Sequence, residues 1–237
     1  FSQDAEINRS GAAALADLPA LPPVEAGELQ AIIAEGGIAL DVRAGEEYAA
    51  GHVPGSVNIA LSGQFASWAG ALLGLAARPV LIAESQEAVT EARMRLARIG
   101  LEDARGYLRG GVAAWREAGL PVAVLPQIRV DALSGRLQAA GVQVLDMQVL
   151  DVRREAEWVA GHIPDATWWP LDNFKVAPPE IDRELPIAVH CKGGYRSMIA
   201  CSLLLRAGFQ NVINVVGGFD AWQQAKLPSV AEKAVEA

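Results

Sequence analysis

Short apolar runs alternate with stretches of helical periodicity along most of the chain. IALDV (38–42), PVLIA (79–83) and ARGYL (104–108) read as strands, and so do QVLDV (148–152), PIAVH (186–190) and NVINVV (211–216). Several of these show almost no polar alternation, the pattern of a strand buried on both faces. Between them, TEARMRLARIG (90–100) and SMIACSLLLRAG (197–208) repeat apolar residues at helical spacing, and each ends on a glycine suited to close a helix. This alternation predicts an α/β fold, a parallel sheet with helices on both faces.

The pattern occurs twice. IALDVRAGEEYAAGHVP (38–54) matches QVLDVRREAEWVAGHIP (148–164), so that Asp41 and Asp151, and His52 and His162, are separated by the same 110 positions. GGVAAWREAGLP (110–121) matches GGFDAWQQAKLP (217–228) at a spacing of 107, which places a short length change in an intervening loop. Two tandem domains are expected, at 25–123 and 124–230, joined near VAVLPQIRV (122–130), where Pro126 breaks the pattern. Their opening helices are expected in VEAGELQAIIAEGG (24–37) and DALSGRLQAAG (131–141). Residues 1–24 read as a leader and 231–237 as a frayed tail.

Composition narrows the function. A hydrophobic share of 51% and a charged share of 20% describe a globular protein, and a net charge of -8 argues against a nucleic-acid partner. No run is long and apolar enough for a bilayer, and the first residues lack a secretory pattern, so a cytoplasmic protein without a membrane partner is expected. Phe1 in place of Met leads us to expect a piece of a longer protein. Two cysteines cannot make a disulfide framework, which leaves each to be judged for reactivity. No cofactor is expected, and no metal: His52 and His162 occupy equivalent turns, read as structural, and His190 is the only other histidine. Asp41 and Asp151, present in both copies, read as turn-fixing groups.

Chemistry concentrates in His190-Cys191-Lys192-Gly193-Gly194-Tyr195-Arg196-Ser197, between a strand and a helix. Backbone N–H groups in a loop that feeds a helix favour negative charge, Gly193 and Gly194 let the chain curl, and Lys192 and Arg196 add cations. Cys191 is the candidate nucleophile; Lys192, Gly193, Gly194, Tyr195, Arg196 and Ser197 are the candidate binding residues. Cys201, among apolar residues at helical spacing, reads as core. In the first copy Glu84 stands opposite Cys191, with Glu87 nearby and no cation in the loop, so that copy is expected to be inert. Trp168, Trp169 and Phe174 of TWWPLDNF read either as a pocket wall or as packing.

The D-V-R strand end, the G-H-[IV]-P turn, the cysteine before a Gly-rich loop and the G-G-x-x-A-W helix start together resemble rhodanese homology domains, over nearly all of residues 25–228. The resemblance implies sulfur transfer through a Cys191 persulfide. It implies thiosulfate or a low-molecular-weight persulfide such as that of glutathione as donor, and cyanide, sulfite or a thiol as acceptor. Related phosphatases and arsenate reductases carry Cys-x5-Arg, whereas this loop is Cys-x4-Arg, a smaller cradle suited to a sulfur atom. EINRSGAAALADLPALPPV (6–24) resembles the tail that follows a metallo-β-lactamase-fold domain in bacterial fusions, which implies an upstream domain of the persulfide dioxygenase type. A non-catalytic docking module within such a fusion is the alternative.

Overall fold

The computed structural model describes residues 20–139, 147–175 and 181–231; the expected leader up to residue 19 and the tail from 232 lie outside them. The first half runs β1 (Pro23–Val24), α1 (Ala26–Ala34), β2 (Ala39–Asp41), α2 (Gly45–Ala50), β3 (Val57–Asn58), α3 (Phe65–Leu73), β4 (Val80–Ile82), α4 (Gln86–Ala97), β5 (Gly106–Leu108) and α5 (Gly111–Glu117). The second runs β6 (Gln127–Ile128), α6 (Val130–Ala139), β7 (Gln148–Asp151), α7 (Glu155–Ala160), β8 (Thr167–Trp168), a 3-10 turn (Leu171–Asn173), β9 (Ile187–His190), α8 (Tyr195–Arg206), β10 (Val212–Val215) and α9 (Gly218–Gln224).

Each half forms one five-stranded sheet, in the orders β1-β5-β4-β2-β3 and β6-β10-β9-β7-β8. Strand for strand the two orders are the same, so the duplication seen in sequence is a duplication of topology. All pairings are parallel. The central strands are buried along their whole length, as expected for strands covered on both faces. Helices α4 and α8 close at Gly100 and Gly208, both in the left-handed region. There Leu101 N–H reaches back to Leu96 O, and Phe209 N–H to Leu204 O. β1 draws Pro23 and Val24, assigned above to the leader, into the first sheet beside β5.

The two sheets share a buried apolar cluster in which Tyr48, Phe65 and Trp68 of the first half join Met198, Ile199 and Leu204 of the second. α8 is the principal bridge. Ser202 Oγ accepts the Asn58 N–H at 3.0 Å, and the Arg206 guanidinium donates to the carbonyls of Gly55, Gly36 and Gly37 at 2.9–3.1 Å. Among the described residues no helix is long and apolar enough to cross a membrane.

The repeated motifs hold strand ends. Asp41 accepts the Arg43 backbone N–H and its guanidinium, which also reaches Gly51 O; Asp151, Arg153 and Gly161 repeat the arrangement. His52 and His162 place Nδ1 at 2.9 and 3.1 Å from the carbonyls of Tyr48 and Trp158, and stack on those same rings. Burial pulls His52 down to about 4. Its folded value lies below the unfolded one, so the stability contributed by the neutral ring is complete above about pH 6.5 and is lost as pH falls toward 4. His52 is expected to contribute about 2–3 kcal/mol to the stability lost between pH 7 and 4, in addition to buried His190, whose ring is also pulled down by burial. Urea titrations of His52→Gln should therefore show a pH dependence smaller by that amount.

Candidate active site

Cys191 directly follows β9, at the carboxyl end of the central strand of the second sheet, where the chain turns into α8. Gly194 adopts a left-handed conformation (φ 113°) that ends this turn and brings its N–H to within 3.1 Å of the Cys191 Sγ. A side chain other than hydrogen is rarely accommodated at such a φ. The other face of the loop is tied down by α9: Phe219 N–H donates to Cys191 O at 2.8 Å and Asp220 N–H to Lys192 O at 2.9 Å. With these carbonyls held by α9, the Gly194 N–H is the backbone donor that reaches the sulfur.

Sγ does not stand free in solvent. Cys191 is 1% exposed and lines an open cleft of about 360 Å³ together with Lys192, Gly193, Tyr195 and Arg196 from its own loop. The cations differ from expectation. Arg196 is held by Glu157 in a two-pronged pair, 2.6 and 2.8 Å, so its guanidinium is turned to α7 rather than wrapped around the sulfur. That pairing keeps the Glu157 carboxyl below its usual range and raises Arg196. Lys192 is exposed at the rim. Ser197 is buried below the cleft, 3.7 Å from Sγ.

Five residues of this site lie outside the loop that the sequence singles out, Gly63 of the first half among them. Glu157 anchors Arg196, Asp220 lines the cleft, and Gln64 and Trp68, from the first half, wall it from across the domain boundary. Trp168, Trp169 and Phe174 do not line this cleft. Trp169 stacks on Phe174 at 3.9 Å, and Trp168 donates its indole N–H to Arg153 O. The Tyr195 ring lies against Gly63 and its hydroxyl donates to Ala60 O at 2.9 Å, so the loop is latched to the first half. Burial pushes this hydroxyl up to about 12. Cys201 is fully buried in α8, and burial raises its thiol well above the ordinary range.

The matching position of the first half is chemically different. Glu84 is exposed and shares a hydrogen bond with Glu47, which raises its carboxyl above the usual value. Glu47 is the counterpart of Glu157, and Val89 occupies the place of Arg196, so the two-pronged pair of the second half has no counterpart here.

A model of the rhodanese-like domain matches residues 25–118 and, again, 130–225. The chain belongs to the rhodanese family. Its relatives include a sulfurtransferase of Allochromatium vinosum, 34% identical over 105 residues, which are 44% of this chain and 94% of that protein. Thiosulfate sulfurtransferase GlpE of Pseudomonas entomophila is 36% identical over 88 residues, 36% of this chain and 79% of the relative. A tRNA uridine(34) hydroxylase of Chlamydia caviae is 35% identical over 85 residues, 32% of this chain but only 26% of that larger protein. Membership of the rhodanese family, with sulfurtransferases among the relatives, supports sulfur-transfer chemistry for this tandem rhodanese.

Proposed function

We propose that this tandem rhodanese is a sulfurtransferase that carries sulfane sulfur on Cys191, and that its first domain is non-catalytic. The observation that carries the reading is Cys191 in the lining of an open cleft, with the Gly194 N–H 3.1 Å from its Sγ and the loop carbonyls held by α9. With thiosulfate, the Cys191 sulfur attacks the outer sulfur atom. The S–S bond of the donor breaks, and sulfite leaves with the electron pair. The terminal sulfur of the resulting persulfide is an anion, and the amide that faces Sγ is placed to support it. An acceptor such as cyanide, sulfite or a thiol then attacks that terminal sulfur and regenerates the cysteine. A low-molecular-weight persulfide such as that of glutathione delivers the same atom with a thiolate as leaving group.

Glu84 cannot form a persulfide, which supports an inert first domain. That domain still serves the reaction by supplying Gln64 and Trp68 to the cleft. Gln64→Ala is expected to raise KM for glutathione persulfide several-fold and to change thiosulfate turnover less, because this exposed amide on the cleft wall can hydrogen-bond the larger, peptide-bearing donor. Steady-state kinetics with both donors checks this. The resemblance of residues 6–24 to a fusion tail supports an upstream metallo-β-lactamase-fold domain as the source of that donor.

The direct test is intact-protein mass spectrometry after exposure to thiosulfate or glutathione persulfide. One added sulfur, removable by cyanide and mapped to the Cys191 peptide, is expected. A chain that takes up no sulfur from either donor would leave the docking-module reading in its place.

A further inference from the structure

Ser197, the second polar neighbour of the Cys191 sulfur, has its proton engaged elsewhere. Its Oγ is 3.7 Å from Sγ but 2.7 Å from Asn214 Oδ1, with Gly194 O as a further acceptor at 3.0 Å. A hydroxyl has one proton to give. While that proton points to Asn214, Ser197 turns only lone pairs toward the sulfur. It can then accept from a thiol S–H, but it offers nothing to a sulfur anion.

The chain of bonds continues outward. Asn214 Nδ2 donates to Gln127 Oε1 at 3.0 Å. Ser197 and Asn214 are buried, whereas Gln127 is exposed on the wall of a second cavity, about 250 Å³, between the two domains. A primary amide has a donor and an acceptor of almost equal shape, and a half-turn exchanges them. If both amides turn, Gln127 Nε2 donates to Asn214 Oδ1 and Asn214 Nδ2 donates to Ser197 Oγ. The hydroxyl proton is then released from Asn214, and a sulfur anion at 3.7 Å competes for it with Gly194 O at 3.0 Å. The buried Ser197 and Asn214 stay bonded to each other in both arrangements, and exposed Gln127 turns its other amide atom to solvent, so neither arrangement orphans a buried group of this chain. The first domain has no such chain: Thr90 stands at the Ser197 position and bonds back to Gln86 O, and Tyr107 stands at the Asn214 position.

We infer that Asn214 is a positioning residue which, by turning together with Gln127, converts Ser197 from an acceptor of the Cys191 thiol into a donor to the sulfur anion of the thiolate and of the persulfide. The inference rests on the persulfide role of Cys191. The turn itself moves no proton between residues and makes no covalent bond.

The test is the rate of Cys191 alkylation by iodoacetamide in the full chain at pH 7, read by peptide mass spectrometry. Buried Cys201 reports any loss of fold. Gln127→Glu, at an exposed position, presents only acceptors and holds Asn214 in the first arrangement; alkylation is expected to slow about tenfold. Asn214→Leu removes the acceptor that holds the hydroxyl proton, and alkylation is expected to quicken several-fold. In a Ser197→Ala background both effects should shrink to what charge or packing alone produces. Changes of the same sign in the two variants, or effects that persist undiminished without the Ser197 hydroxyl, would overturn the inference. Opposed shifts in a protein that never takes up sulfur would keep the network and reject the enzyme.

Discussion

Cys191→Ser is expected to fold normally and to transfer no sulfur: with thiosulfate and cyanide it should form thiocyanate no faster than the two salts do alone. The exchange is nearly isosteric at a buried position that already faces the Gly194 N–H and Ser197 Oγ, so a serine hydroxyl finds polar partners there. What it lacks is a nucleophile. Hardly any alkoxide exists near neutral pH, and oxygen is a poor partner for sulfane sulfur, whereas the cysteine sulfur is intrinsically reactive toward it. Cys201→Ser should behave oppositely. It puts a hydroxyl into the apolar side of α8, at a cost of about 1–3 kcal/mol, while leaving turnover per folded molecule intact. Thiocyanate assays and urea titrations on the two variants separate the roles. Turnover that survived in the first and vanished in the second would move the chemistry to Cys201.

The different settings of the two cysteines, a loop after a strand and the interior of a helix, were legible in the sequence because local pattern carries them: one follows an apolar strand and precedes two glycines, the other repeats with the apolar residues of a helix. The six strands and the glycine stops at Gly100 and Gly208 were legible for the same reason, since each depends on residues close by in the chain. Edge strands β1, β3, β6 and β8 are two residues long and leave no periodicity to read. The site was read as its own loop and no more. Lys192 and Arg196 looked like two cations around one sulfur, but a charge in sequence does not disclose its partner, and Glu157 claims Arg196 from a different helix. Trp68 and Gln64 reach the cleft only because α8 packs against the first sheet. No spacing along the chain encodes that packing, and a first domain with Glu84 at the nucleophile position carries no motif that points to them.

Gly218→Ala is expected to do to the loop what Cys191→Ser does to the sulfur. Gly217 and Gly218 both take positive φ at the start of α9 (74° and 55°), and a Cβ on Gly218 would overlap the Cys191 carbonyl oxygen and lie 2.6 Å from that of Lys192. Neither oxygen can retreat, because Phe219 and Asp220 hold them through their own N–H groups. The left-handed backbone costs an alanine about 1–2 kcal/mol, and the overlap adds strain of about 1–3 kcal/mol. A fall in Tm of about 10 °C is expected, and the loop that survives should be displaced from Gly194 N–H and Ser197, with kcat reduced by more than the lost folded fraction explains. Gly111 provides the control. It sits at the same point of the first domain, at φ 59°, and its Cβ would come within 2.8 Å of Ala83 O. Gly111→Ala should therefore destabilise the fold by a similar route while leaving turnover per folded molecule near that of the unmodified chain. Calorimetry combined with thiocyanate assays on both variants decides the matter: equal kinetic losses would mean that the backbone contact of α9 with the Cys191 loop governs stability alone, and a loss confined to Gly218→Ala would tie it to the geometry at the sulfur.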